Sequence, residues 1–342
     1  MIVVGFLLVA SCATEDDSAF LSSQLDRLGN PGAGGILLAI VDPDGSASYA
    51  SLSGDSTADG LDLEDHFRIG SVTKVFTAAL VLSLVDQGRV VLDASASGYV
   101  SRLSIPEEVT LRHLLSHRSG LPDYTDQAIL GSREEGLSKA WTAEELYEIV
   151  ADRPLLFDSG ESFIYSNTNY LILGVLIEEV TGAAYADALR HQILEPLSLT
   201  ETYLSYYEQG AVPVQAFTSV GQVPGRVAPV DFEYTSIATS AWATGGLVST
   251  VRDLGTFFQS LASAEIISNA LVEEMFRADE YGLGVEVHTE SGRVYGHSGG
   301  IPGYNTLVMH DTTSSRTAVM FSTNDTISFK TVVPPLTGKL KE

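Results

Sequence analysis

The sequence predicts an α+β fold: one antiparallel β-sheet flanked by helices, assembled from both ends of the chain around an all-helical insertion region. Three observations carry this. Tyr281–His288, Arg293–His297, Tyr304–His310 and Arg316–Ser322 are strand-like runs separated by turn-forming stretches, the pattern of an antiparallel meander. From about residue 91 to 235 strand signals are sparse and the apolar spacing is mostly helical. Before that region stands a helix, opening at Ser71 and ending at Gln87-Gly88, that is apolar on nearly every side and therefore central and buried.

The chain divides accordingly into 1–12, a leader; 13–19, a polar tether; 20–90 with 236–342, the sheet region; and 91–235, the helical region. Its 342 residues suffice for one large or two interlocked domains. With 44 Asp+Glu against 19 Lys+Arg and a net charge of −25, the surface is acidic, which excludes nucleic acid as a natural partner. Adaptation to a salty medium and simple acidic solubility both account for that charge. The single cysteine, Cys12, excludes an intramolecular disulfide and a cysteine-based zinc site. Met1 to Ala10 is apolar, too short to span a bilayer and suited to a signal-peptide core. Val9-Ala10-Ser11-Cys12 resembles a bacterial lipobox, which implies export and a lipid anchor at Cys12. No Lys or Arg precedes the apolar run, so ordinary secretion and a cytoplasmic apolar N terminus stay open.

In chain order, Phe20 to Leu28 has the spacing of a short amphipathic helix, stopped by Gly29-Asn30-Pro31-Gly32. Gly35 to Val41 and Ser46 to Leu52 form a hairpin across Asp42-Pro43-Asp44-Gly45. Phe67 to Gly70 is extended and leads into the central helix. Leu111 to Ser116 is a helical fragment that enters the loop His117 to Pro122. Thr142-Ala143-Glu144-Glu145 is a capping box opening a helix to about Asp152. A further helix spans Thr168 to Val180 before Gly182, and another runs to about Leu194. Residues 205 to 235 lack periodicity, a length of connection that is more often functional than not. Helices follow near 250–262 and 269–277, then the meander.

The first turn of the central helix carries Ser71 and Lys74, placed on one face by their i, i+3 spacing. A cation there opposes the helix dipole, and burial in that field favours the neutral amine. A neutral amine beside a hydroxyl is an activated serine. The alternative from the same residues is that Ser71 caps the helix and Lys74 lies on the surface.

Ser71-x-x-Lys74, Tyr165-Ser166-Asn167 and His297-Ser298-Gly299-Gly300, in this order and spacing, resemble the serine β-lactamase and penicillin-binding-protein superfamily. The branch resembled is that of class C β-lactamases, D-alanyl-D-alanine carboxypeptidases and related esterases. His113 to Pro122, Gly245 to Thr250 and Gly303-Tyr304-Asn305 support it, over about Asp62 to Asn324. The resemblance implies a β-lactamase/transpeptidase-like fold and catalysis through an acyl-enzyme without cofactor or metal. It implies Ser71 as nucleophile, Lys74 with Tyr165 as base system, and the backbone N–H groups of Ser71 and Gly300 as oxyanion hole. Asn167 orders the Lys74 environment, while His297, Ser298 and Gly299 face the substrate from a strand edge. Whether Lys74 or Tyr165 is the acylation base stays open, since such a pair titrates as a unit. His-Ser-Gly stands where most β-lactamases of the group carry Lys-Thr-Gly, a form of the peptidase and esterase branch. The expected activity is therefore D-alanyl-D-alanine carboxypeptidase-like on a peptide or small-molecule substrate. An esterase, a β-lactamase and a penicillin-binding module that never turns over are the alternatives.

Two competing motifs are present. Gly296-His297-Ser298-Gly299-Gly300 fits the G-x-S-x-G nucleophile elbow, but an elbow needs a helix after the serine, and a strand follows here. His113 and His117 have the i, i+4 spacing of a metal pair without the acidic partner of H-E-x-x-H, so no metal is expected.

Overall fold

The computed structural model describes residues 15–54, 60–125, 139–220, 222, 225–230, 235–278, 280–288 and 293–342. Cys12, the leader 1–12 and residues 13 and 14 of the tether lie outside them. The strands are β1 (Gly35–Val41), β2 (Ala47–Ser53), β3 (Phe67–Arg68), β4 (Tyr203–Leu204), β5 (Phe217–Thr218), β6 (Ala228–Pro229), β7 (Leu247–Ser249), β8 (Glu286–Val287), β9 (Val294–Ile301), β10 (Tyr304–Asp311) and β11 (Thr317–Ser322). The helices are α1 (Glu15–Leu28), α2 (Thr73–Asp86), α3 (Leu111–Leu115), α4 (Ala143–Ala151), α5 (Asn167–Thr181), α6 (Tyr185–Leu189), α7 (Thr235–Gly245), α8 (Val251–Ala262), α9 (Asn269–Phe276) and α10 (Val333–Lys339).

The two ends of the chain build one sheet in the order β2-β1-β11-β10-β9-β8. Strand β1 pairs antiparallel with β2 and β11, and every one of its residues is buried. Its alternation explains why: Leu37, Ala39 and Val41 face the larger core, and Ile36, Leu38 and Ile40 face a second one. The second core is closed by Leu21 and Leu25 of α1 and Leu336 of α10, so both faces of the strand are covered. Truncating Leu38 to Ala would cost about 2–5 kcal/mol. The larger core lies between the sheet and the helical region. Phe76 of α2 stacks on Phe257 of α8 at 3.6 Å between centroids, and Phe67 of β3 stacks on Phe321 of β11 at 3.9 Å, so the central helix and the strand before it are both anchored on the sheet side.

Several elements differ from the sequence expectation. Helix α1 opens at Glu15, inside the expected tether, because its acidic first turn is paired: Asp17, 2% exposed, meets Arg316 and Lys339, and Asp16 meets Lys339 at 2.7 Å. The run Tyr281–His288 yields only the two-residue β8. Gly284 adopts φ +91°, and a Cβ at Gly282 would fall 2.0 Å from the Met275 carbonyl oxygen, so the chain bends here and turns Tyr281 inward. Within 205–235, β5 and β6 pair in a small ribbon. Helix α7 was not foreseen. It is kinked at Trp242 (φ 30°), whose ring lies against Gly174 of α5, where a Cβ would come within 2.6 Å of the indole. Among the described residues no helix is long and apolar enough to cross a membrane.

Candidate active site

Strand β3 hands the chain to α2 through a 3₁₀ turn at Gly70–Val72. Gly70 has φ +50°, and a Cβ there would sit 2.8 Å from the Gly300 nitrogen; a Cβ on Gly299 would meet the Ile69 carbonyl oxygen at 2.0 Å and the Ser71 nitrogen at 3.2 Å. Only glycines allow this approach, which brings the backbone of Ser71 against that of Gly300. Ser71 is not a helix cap, for no side chain caps either the 3₁₀ turn or α2. Nor is Lys74 a surface lysine: it is 0% exposed.

The three protons of the Lys74 ammonium have three acceptors: Ser71 Oγ at 3.1 Å, Asn167 Oδ1 at 2.8 Å and the Thr244 carbonyl oxygen at 2.7 Å. The last follows from the kink in α7, which also lets Thr77 Oγ1 donate to the Ala243 carbonyl at 2.7 Å. Burial pushes the Lys74 amine down to about 7, against the opposing charges of Asp123 and Glu286. At neutral pH it is thus poised between ammonium and free base.

Asn167 presents its oxygen to Lys74 because its amide nitrogen is spoken for. Nδ2 donates to Asp123 Oδ2 at 3.0 Å and to Thr125 Oγ1 at 2.7 Å, while Asp123 Oδ1 accepts from the Thr125 nitrogen at 2.9 Å and hydroxyl at 2.7 Å. Asp123 thus fixes the amide from behind. Sequence reading stopped at Pro122 and missed it.

The Tyr165 ring centroid lies 5.0 Å from Lys74 Nζ. Its hydroxyl is buried without a hydrogen bond among the described residues. Burial raises the phenol well above its usual value and proximity to Ser71 only partly offsets this, so Tyr165 stands protonated beside the serine.

His297 departs from expectation. It is 1% exposed and lies beside Tyr165, with ring centroids 6.2 Å apart. A chain of hydrogen bonds with a definite direction holds it. The Ser166 nitrogen and the Asn169 amide both donate to His117 Nδ1, at 3.2 and 3.0 Å, which leaves the His117 proton on Nε2. His117 Nε2 donates to Tyr281 Oη at 3.2 Å, and Tyr281 donates to His297 Nε2 at 2.9 Å. The His297 proton is thereby placed on Nδ1, 2.5 Å from the Ser298 carbonyl oxygen. Both histidines are lowered by burial, His117 with Lys74 adding to the effect and His297 with Glu286 opposing it. They are neutral relays and not free cations.

Ser298 does lie at the exposed edge of β9, in the middle of a strand that turns into β10, so the elbow alternative fails. Glu286 of β8 occupies it, accepting from the Ser298 nitrogen at 3.1 Å and hydroxyl at 2.6 Å. The other pair of histidines is separated in role: His113 completes a capping box with Thr110, while His117 belongs to the relay.

The Beta-lactamase family model matches residues 24–333. Penicillin-binding protein 4* of Bacillus subtilis (strain 168) is 28% identical over 278 residues, covering 76% of this chain and 61% of that protein. The chain thus spans about three fifths of the curated relatives it matches first. Among solved structures, a D-stereospecific amidohydrolase from Streptomyces sp. is 26% identical with a TM-score of 0.78, covering 90% of this chain and 95% of that one. The D-amino acid amidase from Ochrobactrum anthropi SV3 is 26% identical with a TM-score of 0.76, covering 93% and 96%.

Proposed function

The chain belongs to the Beta-lactamase family of serine hydrolases, and from that premise we propose that it cleaves an amide or ester bond of a D-amino acid derivative through an acyl-enzyme on Ser71. The observation that carries the reading is the buried Lys74 amine, 3.1 Å from Ser71 Oγ and brought down to about 7. Free Lys74 takes the Ser71 proton as Oγ attacks the carbonyl carbon. The tetrahedral oxyanion is held by the Ser71 and Gly300 backbone N–H groups, and its collapse breaks the bond to the leaving nitrogen or oxygen. Tyr165, protonated beside Ser71, supplies the proton to that leaving group; Lys74 is therefore the acylation base in this reading. Water then attacks the acyl carbon along the same path and gives its proton to the Tyr165 phenolate; collapse breaks the bond to Ser71 Oγ, which takes back the proton held by Lys74, and frees the acid.

The D-amino acid amidase and D-stereospecific amidohydrolase neighbours support D-configured amides as the substrate class. A D-alanyl-D-alanine carboxypeptidase is the second reading, favoured by the penicillin-binding relative. It needs a group that reads a terminal carboxylate, and both ring nitrogens of His297 are already hydrogen-bonded, to Tyr281 and to the Ser298 carbonyl. Release of ammonia from D-alaninamide, set against release of D-alanine from a D-alanyl-D-alanine peptide, separates the two. Steady release from either excludes a binding module that acylates once, and a single equivalent of product from both would overturn the hydrolase reading. Export with a lipid anchor at Cys12 belongs to the same proposal; partition of the full-length chain into membranes, lost in Cys12→Ser, tests it.

A further inference from the structure

The strand edge expected to face the substrate holds a carboxylate of the protein, that of Glu286. Glu286 Oε2 accepts from the Ser298 nitrogen and Oε1 from the Ser298 hydroxyl, so neither donor of that serine is left for an incoming anion. The bonds fix the carboxylate in place, because β8 pairs with β9 with Glu286 opposite Gly296. Glu286 keeps 26% of its side chain exposed, and Ser298 beside it is exposed. A ligand at the edge therefore meets the anion directly.

Among the described residues, the two groups paired with Glu286 are histidines that leave its charge in place at neutral pH. His297 Nδ1 lies 3.6 Å away and His288 Nε2 3.7 Å away, and burial holds both rings below the usual imidazole range. Burial also acts on Glu286 itself, upward, but His297 and the Ser298 bonds outweigh it and keep the carboxyl below its ordinary value. Lys74, the cation nearest the chemistry, is only partly charged near neutrality. Asp123 adds a second anion behind Asn167.

We propose that the Ser298 subsite receives the leaving group of the scissile bond and that Glu286 is a specificity-determining residue that makes it select for an ammonium group and against a carboxylate. The inference rests on the reading of Ser71 as nucleophile. Two lone pairs of the carboxylate remain after the Ser298 bonds, enough to accept from an ammonium, while a substrate carboxylate would face like charge across one hydroxyl. Amides and esters whose leaving group is neutral rank between the two.

The test uses three esters of N-acetyl-D-alanine that differ only at the alcohol: lactate, lactamide and 1-amino-2-propanol. kcat/KM is measured for wild type and Glu286→Gln, and the ratio of aminopropyl to lactate ester is compared between the two proteins so that intrinsic ester reactivity cancels. The expected result is a ratio at least about tenfold larger in wild type, shrinking as salt is raised. An equal ratio in both proteins, or a larger one in the variant, overturns the proposal. Should Glu286→Gln fail to fold, the salt series on wild type alone decides, and a ratio that ignores ionic strength overturns it. Hydrolysis with the wrong ranking sinks only the charge assignment. Absence of hydrolysis together with an unmodified Ser71 overturns both this inference and the acyl-enzyme reading beneath it.

Discussion

Replacing Lys74 by methionine should change how stability depends on pH. In the unfolded chain the amine keeps its ordinary value of 10.5, and in the folded protein burial brings it to about 7. Between those two values the unfolded state holds a proton that the folded state lacks, so wild-type stability rises with pH. The penalty of burying the amine is complete below about 7 and vanishes above 10.5. The limiting slope is about 1.4 kcal/mol per pH unit, so from about pH 7.5 to about pH 9.5 wild type should gain about 2–3 kcal/mol relative to Lys74→Met. Other titrating groups are common to both proteins and drop out of the difference. No discount for solvent screening applies, since Lys74 has no exposed surface. The three lost hydrogen bonds shift the difference by a constant and leave its slope intact. Urea unfolding followed by tryptophan fluorescence at several pH values measures it. A constant difference across that range would mean that Lys74 ionises as an ordinary lysine, and its service as a base near neutrality would go with it.

Asp123→Asn removes a charge that holds the Lys74 amine up; the acidic limb of the kcat/KM profile should move to lower pH, and an unmoved limb would place Lys74 outside that ionisation. Tyr281→Phe takes away the proton pinned between the two relay histidines. The His297 ring should then lose its preference for the Nδ1 proton in nitrogen NMR spectra, with kcat down about fivefold for one lost hydrogen bond; unchanged tautomers would refute the relay. Gly299→Ala inserts a Cβ at 2.0 Å from the Ile69 carbonyl oxygen, so hydrolysis should be lost and thermal stability should fall, and an active variant would show that Ser71 and Gly300 need no such close approach.

The parts of the molecule readable beforehand are those set by local chemistry. Gly35–Val41 is β1 with the predicted limits, and the capping box at Thr142 and Glu145 forms with both of its bonds. Ser71 and Lys74 share a helix face because their spacing requires it. What escaped reading depends on contacts between distant segments. Asp123 meets Asn167 at a separation of 44 positions, and nothing in the loop around Leu121-Pro122 signals that partner. The inward turn of Tyr281 comes from Gly282 packed against Met275 and Gly284 packed against Ala78 and Tyr170, and it sets the partner of His297; a period-two pattern carried no warning that the strand would break. Glu286 looked like an ordinary residue of an amphipathic strand. Only the register of β8 on β9 makes it a neighbour of Ser298.

The central claim is that Ser71 carries the acyl group. Incubating the protein with a fluorophosphonate and, separately, with a slowly hydrolysed D-configured ester, then mapping the modified peptide by mass spectrometry, tests it directly. The account predicts one adduct, on the peptide that contains Ser71, absent in Ser71→Ala and retained in Ser298→Ala. An adduct on Ser298, or labelling that survives Ser71→Ala, would contradict it.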